Sequence, residues 1–424
     1  MSLPSHRVKL VCNHFAAPNE SIRNNTSASS LNPRDVVIVS CVRTPMGSFQ
    51  GGLAPLTAVD LGATVIKEAL KRGNVSPTDV DEVYFGNVLQ ANQGQNPARQ
   101  ATIKAGIPNS VPATTVNKVC ASGMKAATIG AAQIRLGLAD VIVAGGMESM
   151  SNAPYYLPKA RKGMRLGHGE VVDAVMKDGL SDAYGGYAMG ICAEMCSEKH
   201  NISRPEQDDF ALSSYNRAEQ AWKAGAFDKE VVAVEVPQRR KAPKVVKQDE
   251  DFSKVNKQRF RQLRGVFGRG KTVTAGNAST ISDGAAALVL MSAESARRLN
   301  CKPLAVFRGW ADAAQEPDAF TTAPALAIPK AIKNASLRAS DIDFYEINEA
   351  FSVVAVANMR LLKLNPAKVN IYGGGVSIGH PIGCSGARII VTLLTALQNN
   401  NARYGCAGIC NGGGGASACV IERL

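Results

Sequence analysis

The sequence repeats part of itself, and this duplication is the feature that most restricts the fold. Residues 116–146 and 369–415 follow the same order: a Val-Asn pair, a cysteine close to a Ser-Gly pair, a helical pattern, a strand and clustered glycines. The hairpin that ends the second copy, 412–421, also resembles 282–290, so the first copy is interrupted by about 135 residues. The chain is therefore predicted to form two similar halves, with a large insertion in the first.

Strands alternate with helices in the first half, which indicates an α/β protein with a doubly wound sheet of buried parallel strands. Function is expected at the junction of the two halves, outside the strand ends. Strands are predicted at 35–42, 82–88, 114–119 and 140–144, and helices at 59–72 and 97–105.

The duplication divides the chain into four parts. Polar, patternless residues form an N-terminal targeting tail, and the insertion contains a predicted helix at 205–224. The predicted bounds are 1–34 for the tail, 35–152 for the first half (completed by 272–298), 153–271 for the insertion and 299–424 for the second half.

The tail contains a candidate import signal. Arg7-Val8, five further residues and His14-Phe15 have the form of a type 2 peroxisomal signal, with the apolar Val11 in its middle. This pattern predicts a peroxisomal protein and an import receptor as a partner. A mitochondrial presequence is the alternative, favoured by basic residues and disfavoured by Glu20; a cytoplasmic location is the other.

The net charge of +13 favours an anionic partner, and it is concentrated at 239–271, with 12 Lys and Arg against 3 Asp and Glu. No basic element interleaved with aromatic residues indicates nucleic acid, and no apolar run is long enough to span a membrane. A polyphosphate small molecule or a solvated face would both explain the charge. The ten scattered cysteines suggest reduced thiols in an intracellular protein, with little support for a zinc site.

Cys120 follows a short β-branched run and precedes an alanine-rich helical pattern. Helix N-termini carry unpaired N–H groups and a positive dipole end, so this position favours a thiolate. A cysteine that simply fills a gap in the core is the alternative.

Three further segments could bind a ligand: 348–351, 373–383 and 410–415. Dense glycines let the backbone approach a ligand and direct N–H groups at it. Taken singly, each segment also has a structural explanation. Asn348 could cap a helix or form a turn, a local turn could hold His380, and the glycines of 410–415 could allow tight packing at a strand end.

Together with the Cys120 segment, these segments resemble the motifs of the thiolase family: a nucleophilic cysteine segment, NEAF, GHPxGxSGxR and CxGGG. The resemblance covers 35–424 and implies duplicated βαβ-type halves in a layered αβαβα arrangement, with the insertion as a CoA-binding loop domain. It also implies a homo-oligomer, expected to be a tetramer. The runs 117–125, 276–279 and 313–317 are most similar to those of acetoacetyl-CoA thiolases.

The resemblance implies that Cys120 attacks a thioester and becomes acetylated, while His380 takes its proton. Cys410 would act as base and acid at the α-carbon of the second acetyl-CoA. One oxyanion site would consist of His380 and a water held by Asn348, and the other of the backbone N–H groups of Cys120 and Gly412.

Substrate contacts follow from the same resemblance. Ser279 would contact the pantetheine arm, Lys254 the nucleotide phosphates, and Met189 and Phe320 the acyl group. Some relatives have His where this chain has Ala188, which removes any contact by that side chain. No cofactor is implied beyond coenzyme A as substrate or product, except for a potassium ion that certain relatives bind at positions matching Tyr215, Ala275, Gly276, Ala278 and Val376.

The expected function is an acetyl-CoA C-acetyltransferase of lipid metabolism, at the entry to the mevalonate pathway, which condenses two acetyl-CoA to acetoacetyl-CoA and CoA. A broad-chain 3-ketoacyl-CoA thiolase of β-oxidation is the nearest alternative. A non-catalytic thiolase-like lipid carrier would lack one of Cys120, His380 and Cys410, and this chain has all three.

Overall fold

The computed structural model describes residues 31–424, and the strands and helices below are numbered in chain order. The predicted import signal lies outside the described residues. The strands are β1 (Val36–Arg43), β2 (Gly47–Ser48), β3 (Glu82–Gly86), β4 (Ala113–Val116), β5 (Val141–Ser149), β6 (Tyr155–Tyr156), β7 (Val172–Asp173), β8 (Val234–Gln238), β9 (Lys241–Val246), β10 (Ser282–Ser292), β11 (Ala305–Ala314), β12 (Phe344–Ile347), β13 (Tyr404–Asn411) and β14 (Gly415–Arg423).

The helices are α1 (Ala58–Gly73), α2 (Pro97–Lys104), α3 (Ser122–Arg135), α4 (Met189–Lys199), α5 (Arg204–Lys223), α6 (Ala293–Arg298), α7 (Pro324–Asn334), α8 (Ser352–Leu362), α9 (Gly375–Ile378) and α10 (Ile382–Asn399). The helices predicted at 59–72, 97–105 and 205–224 are α1, α2 and α5, and each starts and ends within one residue of the predicted bounds. The start of α1 illustrates the cause: Thr57 and Asp60 form a capping box that pairs the first free N–H groups.

One mixed sheet joins the two halves. Its strand order is β12-β13-β14-β11-β1-β10-β5-β3-β4, with β2 paired to β10. The halves meet where β1 pairs antiparallel with β11 over two residue pairs, Val37 with Val306 and Ile38 with Ala305. The same order therefore occurs on both sides of this seam, as the duplication predicted.

The predicted buried parallel strands are present, but they form only part of a mixed sheet. Among the strands described, the parallel pairs of this sheet are β3–β4, β3–β5 and β12–β13. The others are antiparallel, because returning strands such as β14 need only a short turn, whereas a parallel strand needs a crossover.

Helices and sheet alternate in layers. The two central helices α3 and α10 pack against each other and against strands of both halves, while α1 covers the outer face of the first half and α7 that of the second. Ile389 and Leu393 of α10 are fully buried in the central cluster, and each contributes about 1.5–3 kcal/mol of hydrophobic stabilisation. The predicted αβαβα layering is confirmed.

Glycines bring the starts of the two central helices together. A Cβ at Gly86 would lie 2.6 Å from the nitrogen of Gly123 in α3 and 2.7 Å from the carbonyl oxygen of Gly383 in α10. A Cβ at Gly146 would lie 2.1 Å from that same oxygen. Real side chains do not tolerate such distances, so these positions admit glycine alone. This close approach brings the segment after Cys120 into contact with the segment after His380.

The insertion lies outside the main sheet. It contains α4, α5 and the two-stranded sheets β6–β7 and β8–β9, and it packs on the second half where α5 contacts α8 and α9. In the described part of the chain, no helix has the length and apolar character that a membrane crossing requires.

Candidate active site

Cys120 lies in a tight turn between β4 and α3. Val119 has a φ of 47°, and the turn is closed by Ser122, whose hydroxyl accepts from the Lys118 N–H at 2.8 Å and donates to the Val119 carbonyl at 2.5 Å. The helix begins at Ser122, so the predicted position of Cys120 at a helix N-terminus is confirmed.

The predicted preference for a resting thiolate was wrong. Burial raises the pKa of Cys120 to about 12, and the carboxylate of Glu148 adds to the increase. The backbone N–H groups of Gly412 and of Cys120 itself act in the opposite direction but do not compensate. Desolvation exceeds the helix-terminus effect, so a reaction at this sulfur would need a base.

His380 has a free ring nitrogen for that role, and Ile382, two residues after it, belongs to the apolar cluster against which Cys120 packs. It is 5% exposed, and its Nδ1 lies 2.6 Å from the Ser385 hydroxyl. That hydroxyl donates its own proton to the Pro381 carbonyl at 2.9 Å, so it accepts from Nδ1–H. This fixes the tautomer in which Nε2 carries a lone pair, and Nε2 is buried without a hydrogen-bond partner in the described structure.

The ring of His380 is neutral at rest, so its Nε2 can accept a proton. Burial lowers its pKa to about 3, and the buried guanidinium of Arg388 lowers it further. Because the pKa is lowered, the neutral ring persists as the pH falls through the usual histidine range near 6.5.

We expect a ¹⁵N–¹H spectrum of the histidine rings to show His380 as the neutral Nδ1–H tautomer from pH 8 to pH 5, because burial and Arg388 oppose its protonation. The His380→Asn variant identifies the signal, and free histidine in the same buffer, which titrates near pH 6.5, serves as the control. Protonation of the His380 ring within this pH range would contradict this charge state.

Cys410 and Gly412 approach Cys120 from the second half. Cys410 is fully buried near the end of β13, and burial together with the neighbouring Cys120 raises its pKa well above the usual value. A Cβ at Gly412 would lie 3.5 Å from Met189 Cε and 3.8 Å from Val119 Cγ1. Since these are ordinary contacts, the protein itself leaves room for a methyl group here. The space beside the Gly412 N–H is therefore open to a substrate atom.

Asn348 follows β12, which runs parallel to β13, so Asn348 and Cys410 lie at the same end of neighbouring strands. The Asn348 N–H donates to the Gly408 carbonyl at 2.9 Å, whereas both polar atoms of its buried side chain lack a partner among residues 31–424. A buried amide of this kind requires a water or a ligand.

An apolar cluster surrounds Cys410. It includes Met189 and Phe320, the two predicted acyl contacts, together with Cys192, Ala350 and Val354. Phe351 packs against it. The predicted acyl contacts therefore share one cluster with the second cysteine.

The two predicted CoA contacts lie in different environments. Ser279 is half-buried and its N–H donates to the Ala350 carbonyl at 3.0 Å, next to the Asn348 segment. The side chain of Lys254 is 55% exposed, contacts Ser48, and has Asp251 and Glu250 within 3.7 and 3.9 Å. Its charge is thus partly balanced by carboxylates.

The residues predicted for potassium lie close together. Tyr215 packs edge-on against Phe260 with ring centroids 6.0 Å apart, and a Cβ at Gly276 would lie 2.6 Å from the same ring. Val376 donates its N–H to Glu349 at 3.1 Å, and Glu349 also accepts from Ser214 beside Tyr215. Ala275 and Ala278 lie in the same turn as Gly276, which the Ala278 N–H closes by donating to the Thr274 carbonyl.

Sequence reasoning assigned no role to two buried residues of the site. Ser385 is the serine of the GHPxGxSGxR motif, and its position five residues after His380 makes a side-chain contact feasible. Glu148 had no signal beyond its place after a glycine pair at a strand end.

Comparison with known proteins agrees with this geometry. The thiolase N-terminal domain model matches residues 36–294 and the thiolase C-terminal domain model matches 301–423. Acetyl-CoA acetyltransferase 2 of Arabidopsis thaliana is 59% identical over 400 residues, covering 94% of this chain and 99% of its own. Acetyl-CoA acetyltransferase of Schizosaccharomyces pombe is 58% identical, covering 92% and 99%.

Two solved structures resemble the fold closely. The Acat5 thiolase of Ascaris suum in complex with coenzyme A has a TM-score of 0.87 and 45% identity, covering 92% of this chain and 100% of that chain. The acetyl-CoA acetyltransferase of Bacillus anthracis has a TM-score of 0.90 and 42% identity, covering 92% and 99%. Motifs, fold and site geometry thus agree with both family models, and this chain belongs to the thiolase family.

Proposed function

We propose that this protein is an acetyl-CoA C-acetyltransferase, which condenses two acetyl-CoA reversibly to acetoacetyl-CoA and CoA. One observation carries the proposal: Cys120 lies beside the Gly412 N–H and Cys410, and it packs against the cluster of Ile382, two residues after His380, whose neutral ring has a free Nε2. Curated relatives with this name are 51–59% identical over most of the chain.

The first step acetylates Cys120. His380 Nε2 takes the thiol proton as the sulfur attacks the thioester carbonyl, and the N–H groups of Cys120 and Gly412 stabilise the tetrahedral oxyanion. The carbon–sulfur bond to CoA then breaks, and the proton on His380 passes to the departing CoA sulfur. Ser385 keeps His380 in the required tautomer throughout.

The second step forms a carbon–carbon bond. Because the raised pKa of Cys410 keeps it protonated at rest, its proton first passes to His380 Nε2. The Cys410 thiolate, a strong base, then removes a proton from the α-carbon of a second acetyl-CoA, and the enolate oxygen accepts from the protonated His380 and from a water bound to Asn348. The enolate carbon attacks the acetyl group on Cys120 and displaces the Cys120 sulfur, which takes the proton from His380.

Met189 and Phe320 limit the acyl space, so we expect a preference for short chains. Thiolysis of acetoacetyl-CoA and of a medium-chain 3-ketoacyl-CoA should be compared by kcat/KM. Filling a pocket with extra methylenes typically changes this ratio 10–200-fold per group, so the longer substrate should be at least about 10-fold worse. Equal or better use of the longer chain would favour the β-oxidation alternative.

A potassium ion fits the neighbourhood of Tyr215, because backbone carbonyls and a phenol are the oxygen ligands that this ion accepts. Tyr215, Ala275, Gly276, Ala278 and Val376 would hold it, and it would stiffen the turn that carries Ser279. Potassium chloride should then raise the thermal unfolding midpoint above that in tetramethylammonium chloride at equal ionic strength. Equal midpoints would reject the site.

We also propose a homo-oligomer, expected to be a tetramer. The 155–184 segment exposes large apolar side chains that a partner would cover, among them Tyr155, Leu166 and Tyr184 at 65%, 98% and 77% exposure. Light scattering should give a multiple of the 44.7 kDa chain, and a monomeric mass would reject this.

Peroxisomal import is proposed on the pattern at Arg7–Phe15 alone. Residues 1–34 fused to a fluorescent reporter should direct it to peroxisomes. Mitochondrial or diffuse fluorescence would support one of the two alternatives.

A further inference from the structure

Glu148 is a buried residue that the proposed reaction does not use, and it connects the two catalytic segments. It lies near the end of β5, fully buried, in register with Gly284 of β10. Its Oε1 accepts from Asn87 Nδ2 at 2.7 Å and from the Leu89 N–H at 3.1 Å. Its Oε2 accepts from the N–H groups of Val88 at 3.0 Å and Gly383 at 2.8 Å.

This arrangement requires a carboxylate. Each oxygen receives two hydrogen bonds, and all four partners are N–H groups, which can only donate. A protonated acid or an amide would direct a hydrogen at one of these donors. Burial raises the pKa of Glu148 to about 7, with the three backbone N–H groups lowering it and Asp283 raising it, so the donors offset only part of the cost of burying the charge.

The residues held by Glu148 belong to the junction of the two central helices. Gly383 lies three residues after His380, and its carbonyl oxygen packs against Gly86 and Gly146. Gly86 also packs against the start of α3, next to the Cys120 turn. Both backbone polar groups of Gly383 are therefore fixed. Its N–H donates to Glu148, and its carbonyl oxygen packs against Gly86 and Gly146 beside the Cys120 turn.

We propose that Glu148 is a positioning residue, whose carboxylate sets the separation of His380 Nε2 and Cys120 Sγ by holding the Gly383 N–H and the Asn87–Leu89 loop. This inference rests on the proposed acetyl transfer through Cys120. A displacement of about 1 Å at reacting groups can lower a rate about 10²-fold, so the carboxylate acts on the reaction without touching the substrate.

The Glu148→Gln variant tests this because it keeps the size of the side chain but turns an NH₂ group toward two donors. We expect kcat for thiolysis of acetoacetyl-CoA to fall about 10²-fold, while KM changes less than about twofold. Glu148→Asp, which keeps the charge, should recover part of the lost rate, and it serves also if the Gln variant does not fold.

The rate at which iodoacetamide alkylates Cys120 at neutral pH distinguishes two effects of the Glu148→Gln variant. One is the displacement of His380, and the other is the loss of the Glu148 charge near Cys120. The negative charge of Glu148 raises the pKa of Cys120, so loss of that charge alone would accelerate alkylation. Displacement of His380 removes the base, so positioning predicts a decrease of about 10-fold or more. The alkylation rate therefore rises if only the charge matters and falls if His380 is displaced.

Glu194→Gln is the matched control. Glu194 is also buried and accepts the N–H groups of Thr272 and Val273, but in the insertion. It should leave the alkylation rate within about twofold, because the general base is untouched. Unchanged or faster alkylation in Glu148→Gln would overturn the positioning role. A wild-type protein without acetyl transfer would instead reject the proposed function.

Discussion

Cys120→Ser should lower acetyl transfer by about 10⁴-fold or more, since removal of a covalent nucleophile has effects of this size in other enzymes. The hydroxyl is nearly isosteric with the thiol, but His380 is neutral and weakly basic, with its pKa lowered to about 3. Such a base cannot ionise a serine, whose hydroxyl is far less acidic than a thiol. Radioactive acetyl-CoA measures the transfer directly.

The fold should tolerate this change, because Cys120 is half-buried and its turn is held by Ser122 and the backbone. We expect the thermal midpoint to move by no more than about 2 °C. Cys384→Ser is the control, since Cys384 lies one residue before the Ser-Gly pair of the second half, close to the place that Cys120 has in the first, and is fully buried. That variant should keep acetyl transfer, and retention of full activity in Cys120→Ser would refute the mechanism.

Cys410→Ala should block both condensation and thiolysis, with losses of about 10²–10⁴-fold, the range of general acid–base catalysis. Acetylation of Cys120 by acetyl-CoA should persist, because its base, His380, and its oxyanion donor, Gly412, remain. Mass spectrometry of the intact chain after incubation with acetyl-CoA would detect the added acetyl group.

Cys406→Ala is the control for this experiment. Cys406 lies on the same strand four residues earlier and is equally buried, but in the separate apolar cluster around Tyr345. It should lose stability and keep activity. Absence of acetylation in Cys410→Ala would show that the two cysteines do not divide the reaction in this way.

Much of the fold was predictable because it depends on local patterns. The apolar period of α1 and the run that forms β1 predicted these elements within one residue of their bounds. The mixed sheet was not predictable in this way, because pairing direction depends on which strands meet and not on their composition.

The candidate site was likewise predictable in its residues but not in their charge states. The identity of Cys120, His380 and Cys410 followed from motifs, and the structure brings Cys410 and Gly412 to Cys120. The expectation of a thiolate at Cys120 failed because a sequence gives the helix terminus but not the desolvation that opposes it.

The duplication, the order of the elements and the residue types that can perform the chemistry are all readable from the sequence, because they depend on neighbours along the chain. The raised pKa of Cys120, the His380 tautomer that Ser385 fixes, and the contact of Glu148 with Gly383 of α10 become visible only in the folded protein. Each of these depends on burial or on hydrogen-bond geometry in the folded chain. Burial and hydrogen-bond geometry at this site are set when the two halves pack against each other.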